Sequence, residues 1–162
     1  MIALAIAGRP ELLIADEPTT ALDVTVQRSV LNVLGSLCRG QGMGLVLVTH
    51  DLGIVASISD QVAVMYAGMT VEVGPTAAVL HDPRHPYTRA LLGAQPSNGI
   101  AGKRLVAIAG SPPSPEAWPS GCRFAPRCPH QIEMCTAQPV SPTKAEQGQM
   151  VRCARQFEVL DG

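Results

Sequence analysis

Aromatic residues are scarce in this sequence of 162 residues, which has two Phe, two Tyr and one Trp. We therefore expect a folded soluble protein whose core is built from Val, Ile, Leu and Ala rather than from aromatic rings. An excess of basic charge is also missing, since the formal net charge is -1. The sequence thus offers neither the basic surface that binds nucleic acid nor the polybasic segment that binds anionic membranes.

Long apolar runs are absent as well, and a helix that crosses a membrane needs roughly 20 apolar residues. The apolar run at 1–8 is much shorter and has no basic stretch before it, so it does not match an export signal. We interpret it as the buried end of a helix. These absences predict a cytoplasmic protein without a transmembrane segment of its own. Because cytoplasmic thiols stay reduced, the five cysteines are candidates for metal binding rather than for disulfides.

The apolar segments before residue 95 have the pattern of an α/β fold. Short runs at 12–15 and 45–48 are typical of strands that are buried on both faces of a parallel sheet. Between them, a helix ending in the glycine cluster at 40–44 is predicted by the helical spacing of Val26, Val30, Val33, Leu34 and Leu37. A strand, a helix and a strand in this order normally form a right-handed parallel crossover. Alternating apolar residues at 62–66 and 71–73 then predict a β-hairpin.

Charged and polar residues follow the two predicted parallel strands. Asp16 and Glu17 come after the first strand, at the edge where open α/β sheets bind ligands. Asp16 can hold Mg²⁺ through its water shell, and Glu17 can take a proton from a water that attacks a γ-phosphate. An isolated Asp-Glu pair is more often a solvated helix cap. Taken alone, Asp23 is most simply the N-cap of the next helix, and His50 is most simply a surface group.

Taken together, these motifs resemble those of the ABC-type ATPases. The segment LLIADEP at 12–18 is similar to the Walker B strand, TALD at 20–23 to the D-loop, and VTHD at 48–51 to the switch-histidine loop. The resemblance implies an incomplete P-loop ABC ATPase domain, with parallel strands, helices and a hairpin, followed by a small irregular region rich in Pro and Cys.

The resemblance also implies a role for each polar residue and the use of ATP with Mg²⁺. Asp16 would bind Mg²⁺ through water, and Glu17 would be the general base of ATP hydrolysis. Asp23 would communicate across a dimer that sandwiches the nucleotides, and His50 would contact the γ-phosphate.

The phosphate-binding motif G-x-x-x-x-G-K-[ST] does not occur in this sequence. The glycine-rich loop and the lysine that hold the nucleotide's phosphates are therefore missing. In the family this loop, the Q-loop and the signature motif precede the Walker B strand, and 1–10 looks like the helix after the signature. We expect that the chain starts within an ATPase domain and does not hydrolyse ATP alone. An exposed apolar face, with marginal stability or aggregation, would follow.

The segment HDPRHPYTRALLGAQP at 81–96 resembles one that marks the oligopeptide and dipeptide branch of the ABC ATPases. Its prolines predict an extended start to a short helix. One face of this helix is formed by Tyr87, Ala90, Leu91 and Ala94. We expect this face to pack rather than to contact a ligand. We accordingly assign 1–80 to the C-terminal half of the nucleotide-binding domain and 81–162 to the transporter's C-terminal region with its cysteine-rich tail.

Four of the five cysteines lie in this tail: Cys122, Cys128, Cys135 and Cys153. The absence of a C-x-x-C pair argues against a common zinc knuckle, whereas iron–sulfur clusters accept four thiolates at varied spacing. By resemblance, some relatives carry a [4Fe–4S] cluster on such a tail; zinc and unmetallated thiols remain alternatives. Gln149 to Arg152 stand where relatives often have a His, so any supporting role of that His is in doubt. Cys38 is most simply a core residue.

By this resemblance the chain is part of an ATPase subunit that drives oligopeptide or dipeptide import. Such a subunit lies at the cytoplasmic face of the membrane, pairs with a second ABC ATPase subunit as a homo- or heterodimer, and contacts membrane-spanning permease subunits. An extracytoplasmic peptide-binding protein is an indirect partner. The alternative is a truncated, non-catalytic remnant that acts as a metal-binding or protein-interaction module. DNA-repair ATPases share the three motifs, but they carry long coiled coils and basic surfaces, which this sequence lacks.

Overall fold

In a computed structural model of the chain, structure is described for residues 2–20, 22–95 and 107–155. Met1, Ala21 and Pro96, which belong to motifs named above, lie outside these ranges. The chain divides into two compact units, residues 1–59 and 60–162. The assignment of 1–80 to the nucleotide-binding domain and of 81–162 to the transporter's C-terminal region stays a prediction. A division into compact units does not show which family region a residue belongs to. No helix in the described ranges is long and apolar enough to cross a membrane.

The first unit is built around a pair of parallel strands. Its elements are α1 (Ile2–Ala7), β1 (Leu12–Asp16), α2 (Val24–Gln41), β2 (Gly44–Val48) and α3 (Leu52–Ile58). Strands β1 and β2 pair in parallel, with Leu12 opposite Gly44 and Asp16 opposite Val48. The predicted strand, helix and strand are therefore confirmed, and with them the α/β class.

Both ends of α2 follow from local sequence. The carboxylate of Asp23 accepts hydrogen bonds from the N–H groups of Thr25, at 3.0 Å, and Val26, at 2.9 Å. Asp23 is therefore the N-cap of this helix, as predicted. At the other end Gly42 has a φ of 66°, in the left-handed region that glycine adopts without strain. The helix thus ends within the predicted glycine cluster.

The buried side of α2 differs from the predicted stripe. Leu31, Leu34 and Cys38 are buried, whereas Val26 and Val33 are exposed. The stripe that faces the core is thus displaced by about one position. The prediction is confirmed for Leu34 and wrong for Val26 and Val33, whereas the other two predicted residues are half-buried. Val and Leu have similar weight in a hydrophobic pattern, so the pattern alone does not decide which of two neighbouring stripes meets the sheet. The prediction that Cys38 is a core residue is confirmed.

Only one face of the parallel strand pair is covered. Leu13 packs with Leu34 and Cys38 in the core of this unit, whereas Ile14, which points to the other face, is 65% exposed. The prediction that both faces are buried is therefore wrong for this unit. The interpretation of 1–8 as a buried helix end is wrong as well, because α1 has no buried residue and Leu4 is 79% exposed. The expected exposed apolar face is present.

The second unit contains an antiparallel sheet with the strand order β3-β4-β6-β5. Its strands are β3 (Gln61–Tyr66), β4 (Met69–Pro75), β5 (Thr143–Lys144) and β6 (Met150–Val151), and its helices are α4 (Thr76–His81), α5 (Pro86–Gly93) and α6 (Met134–Ala137). Strands β3 and β4 form the predicted hairpin. Ala67 and Gly68 at its turn have φ values of 47° and 76°, the positive values that a type I′ turn requires.

Aromatic rings form the centre of the second unit's core. Tyr66 lies 4.7 Å from Tyr87 and 5.2 Å from Phe124 between ring centroids, and Tyr87 lies 5.3 Å from Phe124. The expectation of a purely aliphatic core is therefore wrong for this unit, because the few aromatic residues are concentrated here. Tyr87 and Leu91 of α5 pack against this core, so the predicted packing role of that helix face is confirmed for these two residues.

Candidate functional sites

The ends of β1 and β2 bring Glu17 and His50 together. Glu17 directly follows β1, and its backbone N–H donates to the carbonyl oxygen of Val48 at 2.9 Å. The parallel pairing thereby continues one step past the strand. The Oε1 atom of Glu17 lies 2.7 Å from Nδ1 of His50, and the hydroxyl of Thr20 donates to Oε2 at 3.2 Å. Two residues that are far apart in sequence thus form a hydrogen-bonded pair at one sheet edge.

This pairing changes the acidity of both groups. The hydrogen bond from His50 lowers the pKa of Glu17, and the hydrogen bond and charge of Glu17 raise the pKa of His50. His50 is 85% exposed, so water screens the interaction, which contributes little to stability. A Glu carboxylate is ionised at neutral pH in any case, and the pairing favours this ionised form further. The raised pKa of His50 favours its protonated form.

The other two predicted residues lie in different settings. Asp16 is the last residue of β1, next to Glu17, and it is exposed. Asp23 caps α2, so its carboxylate is occupied by the backbone of its own helix. The structure therefore groups Asp16, Glu17 and His50 at one edge of the sheet. The individual roles in ATP hydrolysis remain predictions.

A second candidate site lies in the second unit, where all four cysteines of the tail line one pocket. These are Cys122, Cys128, Cys135 and Cys153, and none of them forms a disulfide. His85, His130 and Arg155 also line the pocket, and among the described residues no carboxylate lines it. The spacing in sequence allowed one shared centre but did not establish that the cysteines meet.

The pocket depends on a close approach of two chain segments at Gly121. The N–H of Cys122 donates to the carbonyl oxygen of Cys135 at 2.7 Å. A Cβ atom on Gly121 would lie 2.3 Å from that oxygen and 2.7 Å from the carbonyl oxygen of Gln138. No side chain on residue 121 fits in this space. Because Gly121 has none, the segments that carry Cys122 and Cys135 can meet.

Backbone N–H groups accompany three of the four sulfur atoms. The N–H of Arg155 donates to Sγ of Cys153 at 3.4 Å. Cys122 receives hydrogen bonds from the backbone of Phe124 and Ala125, and Cys128 from that of His130. Each donor lies two or three residues after its cysteine. Such hydrogen bonds favour the charged thiolate over the neutral thiol, and thiolates are the form that binds metals.

Burial acts in the opposite direction on these thiols. It raises the pKa of Cys122 and Cys128, and it raises the pKa of Cys153 to about 11. These thiols are therefore protonated at neutral pH, and a metal would have to displace their protons. Within the described ranges, no group of three or more His, Cys, Asp or Glu side chains is arranged to hold a metal ion as it stands. The donor chemistry suits a thiolate-bound centre, because four free cysteines line one pocket.

Glu72 is a buried carboxylate that the sequence analysis missed. Its two oxygens accept hydrogen bonds from the backbone N–H groups of Arg84, at 2.8 Å, and His85, at 3.1 Å. The side-chain amide of Gln149 also donates to Glu72, at 3.4 Å, and to the carbonyl oxygen of Asp82 at 2.9 Å. Burial raises the pKa of Glu72. Glu72 thus fixes the turn that leads into α5, and Gln149 supports this turn.

His85 is the second residue whose role the sequence analysis missed. It is 1% exposed, and its Nδ1 atom accepts a hydrogen bond from the N–H of Tyr87 at 3.0 Å, which makes His85 the N-cap of α5. Its Nε2 atom is buried and has no hydrogen-bond partner among the described residues. The His-Pro-Tyr segment was recognised as a family marker, but its place beside the cysteines depends on the fold.

Comparison with known proteins shows which proteins this chain resembles. Residues 71–135 match the family described as "Oligopeptide/dipeptide transporter, C-terminal region". The chain is 47% identical over 161 residues to the oligopeptide transport ATP-binding protein OppD of Salmonella typhimurium, covering 99% of this chain and 48% of the relative.

Two further relatives have similar names and similar coverage. The dipeptide transport ATP-binding protein DppD of Escherichia coli and the oligopeptide transport ATP-binding protein AppD of Bacillus subtilis are each 46% identical over 153 residues. Each alignment covers 94% of this chain and 47% of the relative. The chain thus spans about half the length of the curated relatives it matches. Over nearly its whole length the chain is therefore similar to a part of the ATP-binding proteins of oligopeptide and dipeptide transport, and the match to the family's C-terminal region agrees with its being their C-terminal portion.

Proposed function

We propose that this chain is the part of an ABC ATPase subunit that supplies the hydrolytic edge for ATP-driven import of oligopeptides or dipeptides. The observation that carries the proposal is the 2.7 Å pairing of Glu17 and His50 at the joined ends of two parallel strands. Its relatives are named as ATP-binding proteins of peptide transport, which supports the same reaction and substrate class.

Each residue at this edge has a distinct task in the proposed reaction. Glu17, which is ionised at neutral pH and is held next to His50, accepts a proton from the water that attacks the γ-phosphate. His50 places its partial positive charge against that phosphate. Asp16 holds Mg²⁺ through water, and the ion, when bound, neutralises charge on the phosphates.

The chain alone is proposed to be inactive in hydrolysis. It has no phosphate-binding loop, and that loop supplies most of the contacts to a nucleotide's phosphates. Activity would require the part of the subunit that carries this loop and a second ABC ATPase subunit, which would be reached through Asp23. We further propose that the assembled subunits bind membrane-spanning permeases at the cytoplasmic face and that an extracytoplasmic binding protein delivers the peptide.

A full-length subunit, restored by joining the N-terminal part of a relative to this chain, tests the proposal. Glu17→Gln should keep ATP binding but lower the turnover rate by about 10²- to 10⁴-fold, because the base is lost while its shape remains. Glu11→Gln is the matched control, since Glu11 is exposed just before β1 and lies outside the motifs. Hydrolysis by Glu17→Gln at the rate of the unmodified subunit would exclude Glu17 as the base. The 162-residue chain alone should show no hydrolysis.

A second proposal concerns the tail: we propose that Cys122, Cys128, Cys135 and Cys153 hold a [4Fe–4S] cluster. The shared pocket and the N–H donors that accompany three sulfur atoms favour this centre. The cluster would cross-link a region with little regular structure, and it would replace the protons that burial now favours on the thiols. In the isolated chain, this function would be that of a non-catalytic metal-binding module.

Anaerobic reconstitution of the chain with ferrous iron and sulfide tests this second proposal. We expect the chain to bind iron and sulfide together and to develop visible absorbance. Cys128→Ser should lose most of the bound iron, whereas Cys38→Ser, which removes a buried thiol from the first unit, should keep it. Zinc without sulfide, or equal iron in the Cys128→Ser and unmodified chains, would refute the four-cysteine cluster.

A further inference from the structure

The buried imidazole of His85 has a donor that the fold leaves unused. Its Nδ1 atom accepts a hydrogen bond from the N–H of Tyr87, so the proton of the neutral ring is on Nε2. That N–H group is buried and has no partner in hydrogen-bond geometry among the described residues. Buried donors without a partner are rare in folded proteins and usually indicate a missing water, ion or ligand.

The position of this ring is held from several sides. The backbone N–H of His85 donates to Oε2 of Glu72 at 3.1 Å, and Pro86 follows it as the first residue of α5. The ring also lies 6.1 Å from that of Phe124 between centroids. His85 is therefore placed by the fold, and the imidazole has little freedom to find another partner for Nε2.

The ring lines the same pocket as Cys122, Cys128, Cys135 and Cys153. In the part of the chain that the structure describes, no carboxylate lines this pocket to accept the proton. The pocket contains four sulfur atoms that can accept a hydrogen bond. A centre bound by four thiolates would carry negative charge, which attracts an N–H donor. The backbone of Arg152 is the competing acceptor nearby.

We infer that Nε2–H of His85 donates a hydrogen bond to a sulfur atom of the proposed cysteine-bound centre and thereby raises the reduction potential of that centre. The inference rests on the cluster proposed above. A hydrogen bond to sulfur stabilises the reduced, more negative state more than the oxidised state, so the potential rises. His85 is thus a positioning residue that acts through the sulfur atoms, and the His-Pro-Tyr segment gains a role besides packing.

Two substitutions separate the donor from the cap. In His85→Asn the side-chain oxygen can still accept the N–H of Tyr87, since Asn is a strong N-cap, but the donor no longer reaches the pocket. In His85→Gln the amide nitrogen lies close to the former position of Nε2, while the cap is weakened. His130→Asn is the control, because His130 lines the same pocket but is exposed.

The experiment is anaerobic reconstitution of the full chain and its variants with ferrous iron and sulfide, followed by measurement of bound iron, bound sulfide and the midpoint potential. We expect His85→Asn to shift the potential to a more negative value, and His85→Gln and His130→Asn to stay near the unmodified chain. If His85→Asn retains no iron, then retention of iron by His85→Gln supports the donor role and its loss refutes it.

Other results would overturn the inference in distinguishable ways. An unchanged potential in His85→Asn with full iron content would mean that the N–H serves the backbone of Arg152 and not the sulfur atoms. A shift of the potential in His85→Gln without a shift in His85→Asn would assign the effect to the helix cap. An unmodified chain that binds neither iron nor sulfide would refute the cluster itself and this inference with it.

Discussion

Replacing Gly121 with alanine would place a methyl group where the structure has no room for one. The Cβ atom would lie 2.3 Å from the carbonyl oxygen of Cys135 and 2.7 Å from that of Gln138. Both are backbone atoms, so neither can move aside by a simple side-chain rotation. The two segments would have to separate, and the hydrogen bond from the N–H of Cys122 to the carbonyl of Cys135 would be weakened or lost.

The expected cost follows from these two effects. Inserting a methyl group into a packed interior typically costs about 1–3 kcal/mol. Weakening a buried backbone hydrogen bond adds about 1 kcal/mol. Backbone strain does not contribute, because Gly121 is not among the residues with a positive φ. We therefore expect Gly121→Ala to lower the free energy of unfolding of the second unit by about 2–4 kcal/mol.

Urea unfolding of the whole chain, followed by tryptophan fluorescence, measures this change. Trp118 is the only tryptophan, and the guanidinium carbon of Arg123 lies 3.5 Å from the centre of its ring, so its emission reports on this unit. Gly93→Ala is the matched control, because a Cβ atom there would meet nothing within 4 Å. If Gly121→Ala and the unmodified chain unfold at the same urea concentration, the close approach that forms the cysteine pocket is wrong.

Two further predictions concern titrating groups. In Glu17→Gln the pKa of His50 should fall back toward its ordinary value of 6.5, because the carboxylate that raises it is gone; an NMR titration of the imidazole measures this, and an unchanged pKa would show that the pair does not form in solution. Burial raises the pKa of Glu72 above 4.5, so the folded state binds this proton more tightly than the unfolded chain does. The free energy of unfolding should therefore fall as pH rises from 4.5 through the raised value, and Glu72→Gln should lack this fall. Urea unfolding at several pH values compares the two proteins, and parallel profiles would contradict the assignment.

Features governed by neighbouring residues could be predicted from the sequence. Asp23 caps α2 and Gly42 ends it because both effects act within a few residues of the helix end. The pairing of Glu17 with His50 could also be anticipated, since the carboxyl ends of adjacent parallel strands lie at one edge of a sheet. The sequence does not show which segments cover each face of the parallel strand pair. For this reason the exposure of Ile14 could not be predicted.

The second site shows the same limit more clearly. The four cysteines could be named as one group, but their common pocket depends on the space beside Gly121, which no spacing rule describes. Glu72 lies between two valines in an alternating strand, a position that usually points to solvent. It is buried because α5 and Gln149 cover it. The role of His85 depends on this same long-range packing.

The pairing of β4 with β6 has a consequence for the order of folding. Glu72 stands opposite Val151, so the second unit's sheet joins residues from both ends of that unit. In contrast, β1 and β2 of the first unit are separated by a single helix and loop. Long-range pairings of this kind slow folding because a large loop must close first. During synthesis β1 and β2 can therefore pair once residue 48 has emerged from the ribosome, whereas the pairing of β4 with β6 must wait until residue 151 has emerged.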